Sequence, residues 1–387
     1  MNIAIYTNIL TPYRKYFYDA LYQECKKCGD NFYVLLMAET EPNRNWEYND
    51  FKTEYTILLQ GRTVTVGNIY IHFNKNLEEV LTKLRLDILI CAGSYLCPGI
   101  WQVLKWKAKL RYTTFYWSES HLNESRNYNG LKVAIREKIR RMVYEKFDGF
   151  WYAGKLSLQF IKKYAQNNCL LQFMPNLVEE EKYHRAALIS KEENYFLRER
   201  YGIEKQKIVF ICPARLSAVK GIDKFIPILA KCKNKDKVTI LLAGDGELKE
   251  EIETEVKNTG LDIRLLGFQS QQSIIELYSL SDIFLLPSLS DPNPLTCIEA
   301  LWAGLPLFIS EHCGNYPEVV KNGKNGFVFN YHDEQKTICK LDKIIDSNAE
   351  WRNMAKTISL QIADEKYNST LVVKSIIKKL HEVRNGK

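Results

Sequence analysis

The chain has 387 residues, 46% of them apolar, and a formal net charge of +8. Single hydrophobic cores rarely grow past about 250–300 residues, so this length predicts two domains with a core each. No apolar run approaches the roughly 20 residues that span a bilayer, and Met1-Asn2-Ile3-Ala4-Ile5-Tyr6 reads as a strand with neither a basic leader nor a cleavage site, which predicts a cytoplasmic location.

Short apolar strands alternate with helical patterns throughout, the signature of parallel sheets with crossover helices and hence of an α/β fold. In the first half, strands are predicted at residues 2–7, 32–37, 87–91, 113–117 and 149–152. Cys25-Lys26-Lys27-Cys28 is the one close cysteine pair. A zinc site needs two further ligands and no second pair of that spacing exists, so no metal is expected there. The other cysteines lie scattered among apolar segments, as buried thiols of a reducing compartment do.

Residues 100–163 hold fourteen Lys or Arg against five Asp or Glu, a surplus of nine that exceeds the surplus of the whole chain. Two helical stretches, residues 101–111 and 131–144, carry this charge, with Trp101 and Trp106 among the cations of the first. Basic residues mixed with Trp on a helix suit the surface of an anionic bilayer, and equally suit a solvated helix face. Nucleic acid is not expected as a partner, because no recognised nucleic-acid motif accompanies the patch.

Past Pro175-Asn176, the charged and apolar-poor stretch from Glu179 to Glu193 reads as a linker. A second alternating set follows, with strands at residues 208–212, 238–243, 263–266, 283–286, 307–309 and 326–329, and a helical pattern from about 350 to 379. The predicted division is an N-terminal Rossmann-like domain at 1–178, a C-terminal one at 195–365, and a closing helix at 366–387 that packs back toward the first domain.

In such sheets ligands sit outside the carboxyl ends of the strands. Three loops there are informative. The strand at 208–212 leads to Arg215 and Lys220, two cations where a diphosphate would need countercharge. The strand at 238–243 leads to Gly244-Asp245-Gly246, which permits a tight turn and close backbone approach. The strand at 283–286 leads to a loop with Asp291, a helix start near Leu295 and Thr296 whose unpaired N–H groups attract phosphate, and a second acid at Glu299. Carboxylates accept hydrogen bonds from hydroxyls, so Glu299 suits a ribose and Asp291 a sugar ring.

Taken in order, Pro213-Ala214-Arg215 with Lys220-Gly221, Ala243-Gly244-Asp245-Gly246, Leu266-Gly267-Phe268, residues 281–288, the Asp291/Glu299 loop and Gly314-Asn315-Tyr316-Pro317-Glu318 resemble the retaining glycosyltransferases of family 4. The resemblance covers residues 208–330 most strongly. It implies the GT-B fold, two facing Rossmann-like domains with an inter-domain cleft. It implies a nucleotide-diphosphate sugar donor, a UDP or GDP sugar, with no tightly bound cofactor and no metal, and a glycan or lipid-linked acceptor. By position, Arg215 and Lys220 would bind the diphosphate, Glu299 the ribose, and Gly244 and Gly246 the nucleotide, with Phe268 facing the base.

Two departures stand out. The first acid is usually Glu and here is Asp291, one methylene shorter, and Asn293-Pro294 replaces a more usual Phe-Gly, so phosphate contacts fall to Leu295 and Thr296 because Pro294 has no N–H. In the first half, Thr11-Pro12-Tyr13-Arg14 is similar to an acceptor-side loop, and Ser118-Glu119-Ser120-His121 stands where many members place a donor-contacting His, a role shared between Glu119 and His121. The implied pathway is bacterial surface polysaccharide or lipopolysaccharide assembly, with the basic face of residues 100–163 docking peripherally on the inner membrane face. A sugar-nucleotide 2-epimerase shares the fold, and a non-catalytic sugar-nucleotide-binding protein is the third reading.

Overall fold

The computed structural model describes residues 1–41, 52–67, 69–122 and 130–386. The chain divides into two units. The first starts at Met1, runs to Leu177 and regains the chain from Ser369; the second holds Val178–Asn368 together with His121.

The first unit opens with β1 (Asn2–Thr7), α1 (Pro12–Lys27), β2 (Asn31–Leu36), β3 (Thr56–Leu58) and the hairpin β4 (Gly61–Val66) with β5 (Ile69–Asn74). It continues with α2 (Leu77–Leu84), β6 (Ile88–Cys91), α3 (Pro98–Leu110), β7 (Thr113–Ser118), α4 (Gly130–Tyr144), β8 (Gly149–Tyr152), α5 (Lys155–Tyr164) and β9 (Leu170–Phe173). Seven strands make one parallel sheet in the order β3-β2-β1-β6-β7-β8-β9. Parallel strands covered on both faces read as continuous apolar runs, and β1 shows why: Ile3 and Ile5 join one core with Phe17 and Leu21 of α1, while Ala4 and Tyr6 join another with Leu81 and Val103.

The second unit begins with α6 (Glu180–Ala187) and α7 (Lys191–Arg200), then β10 (Ile208–Pro213), α8 (Ile222–Ala230), β11 (Val238–Ala243), α9 (Lys249–Thr259), β12 (Ile263–Gly267) and α10 (Gln271–Leu280). It ends with β13 (Ile283–Leu286), α11 (Leu295–Trp302), β14 (Leu307–Ser310), α12 (Tyr316–Val319), β15 (Gly326–Phe329), α13 (Glu334–Ile345) and α14 (Ala349–Tyr367). Its six parallel strands lie in the order β12-β11-β10-β13-β14-β15, so the direction of strand addition reverses between β10 and β13. The final helix α15 (Ser369–Asn385) belongs to the first unit, where Val372, Val373, Ile376, Ile377 and Leu380 share a core with α1.

Three features differ from the sequence expectation. The charged stretch read as a linker is helical: Tyr183, Ala186 and Ala187 form a buried stripe on α6, and Ser190 with Glu193 makes a capping box that starts α7. Its polar composition describes only the solvent side. The strands β3, β4, β5 and β9 were not anticipated, since they are short or, in the hairpin, alternate without an apolar run. The C-terminal helical pattern breaks at Asn368 into α14 and α15.

Because Ile376 is fully buried between α15 and the first sheet's core, Ile376→Ala is expected to cost about 2–5 kcal/mol, read as a lower urea midpoint by circular dichroism.

Candidate functional site

Strand order reverses between β10 and β13, the position in an open parallel sheet outside whose carboxyl ends ligands bind. The loop after β10 carries Arg215 and then turns through Ala218–Lys220 to Gly221, whose φ of +64° only glycine adopts without strain. A Cβ on Gly221 would also lie 2.4 Å from the Pro287 carbonyl oxygen, so glycine lets this loop press against the end of β13. The result is an ion pair: the Lys220 Nζ meets the Asp291 Oδ2, with both side chains largely withdrawn from water.

Arg215 sits differently. Its side chain is 72% exposed and its guanidinium pairs with Glu247 at 3.1 Å. Exposed pairs contribute about 0–1 kcal/mol, so an anion can recruit this guanidinium at little cost. Gly244 and Gly246 lie beside it because two loops touch backbone to backbone: a Cβ on Gly244 would be 2.0 Å from the Ala214 carbonyl oxygen, and one on Gly246 2.3 Å from that of Leu216. Leu216 N–H donates to the Asp245 carbonyl at 3.0 Å, and Leu248 N–H to that of Leu216 at 3.0 Å. Phe268, next to the Gly244 to Gly267 bridge, is 85% exposed, an aromatic face left open to a planar ring.

Beyond β13 the acid loop is pinned from the side. Asp291 N–H donates to the His312 carbonyl at 3.2 Å and Gly314 N–H to that of Asp291 at 2.8 Å, while Asn315 Nδ2 donates to the Pro294 carbonyl at 3.0 Å. Pro294 caps α11 without a side-chain bond, so the first N–H groups of the helix, at Leu295 and Thr296, have no side-chain acceptor there. His121 is buried, and its Cδ2 is what a Cβ on Gly314 would meet at 2.7 Å. Glu119 lies in the first unit instead, paired at 2.8 Å with Arg14, whose guanidinium stacks 3.9 Å over the Trp117 ring. The two residues that shared one expected role thus belong to different units.

Glu299 has partners that the sequence did not announce. Tyr183 donates to its Oε1 at 3.0 Å and Tyr278 to its Oε2 at 2.9 Å. Burial pushes both phenols above their ordinary value, which keeps them protonated as donors. Burial also raises the Glu299 carboxyl above its ordinary range, against the pull of the two tyrosines that stabilise the anion. Tyr183 lies in the stretch whose composition reads as a linker, and Tyr278 reads from sequence as one more core residue of α10. Asn315 lay in plain view inside a motif, with no role suggested by its type.

Together these groups present two cations and a helix N-terminus for an anion such as a diphosphate, and two carboxylates for hydroxyls. Cys25 is buried in the first core, whereas Cys28 is exposed.

Residues 194–360 match the family of glycosyl transferases group 1. The chain is 26% identical over 186 residues to the N-acetyl-alpha-D-glucosaminyl L-malate synthase of Bacillus anthracis, covering 48% of this chain and 47% of that protein. It is 29% identical over 147 residues to the alpha-galactosylglucosyldiacylglycerol synthase of Streptococcus pneumoniae, covering 36% and 37%. The chain spans about half the length, or less, of such curated relatives. Among solved structures it is similar to Anabaena HepE in complex with UDP, with a TM-score of 0.74 and 17% identity over 99% of this chain and 100% of that one. That likeness gives each unit its fold, the α/β arrangement of GT-B proteins.

Since the folded pKa of Glu299 lies above the unfolded one, its titration adds stability that is complete below the ordinary 4.5 and fades as pH rises through the shifted value. Carboxyl-detected NMR is expected to show Glu299 titrating above 4.5, and higher still in Tyr278→Phe, where one donor to the anion is gone.

Proposed function

We propose that this chain, which matches the glycosyl transferases group 1 over residues 194–360, is a glycosyltransferase that moves a sugar from a nucleotide-diphosphate donor to a hydroxyl acceptor. The observation that carries the reading is the Lys220–Asp291 ion pair at the strand-order reversal, beside the start of α11, which has no side-chain cap, and the exposed Arg215 paired with Glu247. Lys220, Arg215 and the N–H groups of Leu295 and Thr296 hold the diphosphate and stabilise the charge that grows on it as the leaving group departs. Glu299 accepts the ribose hydroxyls, oriented by Tyr183 and Tyr278, and Phe268 covers the base. Asp291 and His121 face the sugar. The UDP bound in the HepE structure supports a uridine donor.

Transfer is retaining. The bond from the sugar's anomeric carbon to the phosphate oxygen breaks while the acceptor oxygen bonds the same face, and the acceptor proton passes to the departing phosphate oxygen. The two cations and the helix N-terminus supply the countercharge that a divalent metal supplies elsewhere.

The acceptor is a glycan or glycolipid at the cytoplasmic face of a membrane, in surface polysaccharide or lipopolysaccharide assembly. The diacylglycerol-linked product in the name of the Streptococcus relative supports a lipid acceptor. So does α4, where Val133, Ile135 and Met142 stand exposed among Lys132, Lys138 and Arg141, the mixture that an anionic lipid surface takes up. On α3, Lys105 and Lys109 flank Trp106, with ammonium groups 5.1 and 4.5 Å from its ring. Among the described residues no helix is long and apolar enough to cross a membrane.

Thermal-shift titration with UDP, GDP, ADP, dTDP and CMP sugars is expected to select one donor. Arg215→Ala and Glu299→Ala should each abolish the shift; no shift with any donor would sink the transferase reading. Flotation with anionic vesicles should be salt-sensitive. At about 1 kcal/mol per cation, reversing Lys132, Lys138 and Arg141 to Glu should weaken binding at least on the order of a hundredfold. Salt-independent behaviour would remove the membrane part and leave the transferase standing.

A further inference from the structure

Cys28, Asp30 and His381 meet although 351 residues separate the last two. The thiol, carboxylate and imidazole ligand atoms all lie within 4.8 Å of one another. We propose that these three side chains form a binding site for a zinc-class divalent cation, which fastens α15 to the turn between α1 and β2.

The chemistry of the set selects the ion. A thiolate with an imidazole suits zinc and its neighbours in softness, whereas magnesium and calcium take oxygen ligands. The reach is right as well. Tetrahedral donors at about 2.0–2.3 Å from zinc stand roughly 3.4–3.8 Å apart, so the widest pair has to close by about 1 Å. Cys28 is exposed and can supply that by rotating about its χ1.

On the other side the Asp30–His381 pair stands closer than tetrahedral donors and has to open by roughly 0.6 Å as an ion enters. Asp30 is buried, its Oδ1 held by the Met1 amine and its Oδ2 2.8 Å from His381 Nε2. A cation takes the position of the proton between Oδ2 and Nε2 and displaces the thiol proton, so both protons leave to solvent as it binds. Three protein ligands leave a fourth position for water.

Cys25 does not take part. Its thiol is packed with Phe17 and Leu21 in the core and is not among the ligand atoms that converge. The close pair in the sequence is thus replaced by one of its members and two residues that only folding brings near.

The consequence is mechanical. The fold places α15 in the first unit through the apolar stripe from Val372 to Leu380, and His381 follows directly on that stripe. A cation at this point closes a loop of more than three hundred residues, where cross-links constrain the unfolded chain most.

The test is titration of the untagged full chain with cobalt(II) alone. A single equivalent is expected to give a near-ultraviolet sulfur-to-cobalt charge-transfer band with tetrahedral visible absorption. Cys28→Ser and His381→Ala should each lose the band and at least about tenfold in affinity, since even outer-shell changes at metal sites cost about 10–100-fold. Cys339→Ser, at the other exposed cysteine, should leave it intact. Both ligand positions reach the surface, and circular dichroism of the variants confirms folding. Absence of the band in the wild-type chain, its survival in His381→Ala, or its loss in Cys339→Ser overturns the site.

Discussion

The ion pair between Lys220 and Asp291 spans the place where strand order in the second sheet reverses, and the geometry around it follows from keeping those two charges together. Taking an ammonium and a carboxylate partly out of water is costly unless each neutralises the other, and at an effective dielectric of about 20 their attraction at 4 Å is roughly 4 kcal/mol. Gly221 brings the lysine loop against β13, and the Gly314-Asn315 segment holds the acid loop from the opposite side.

Glu299 illustrates a different balance. Its carboxylate is half-buried and pairs with no cation among the described residues, and two tyrosine hydroxyls take the place of part of the solvent. Hydrogen bonds of this kind keep an anion viable where water is partly excluded, and they fix the direction of its remaining lone pairs. Both tyrosines come from helices, α6 and α10, that the rest of the fold holds rigid through Tyr183, Ala186, Leu277 and Tyr278 in the core.

Strand positions were legible because buried parallel strands are uninterrupted apolar runs: β1, β8, β11, β13 and β15 have the bounds that their composition suggests. Residues 180–200 were not, since helices there are amphipathic and their few buried side chains are outnumbered by charge. The same limit applied to the site. Arg215, Lys220, Asp291 and Glu299 stood out by type and spacing. Tyr183, Tyr278 and Asn315 did not, because a tyrosine or asparagine signals nothing until its hydrogen-bond partner is known.

By itself the sequence determined the α/β class, the strands of both sheets' centres, and the identity of the charged groups at the carboxyl ends of β10 and β13, since these depend on local periodicity and on side-chain chemistry. Tertiary structure alone decided which charges pair: Lys220 with Asp291, Glu119 with Arg14, Glu299 with two phenols, and Asp30 with His381 from the far end of the chain. Pairing is a matter of distances across tens to hundreds of residues, and those are set by how apolar surfaces pack, about which a linear order of residues carries no direct record.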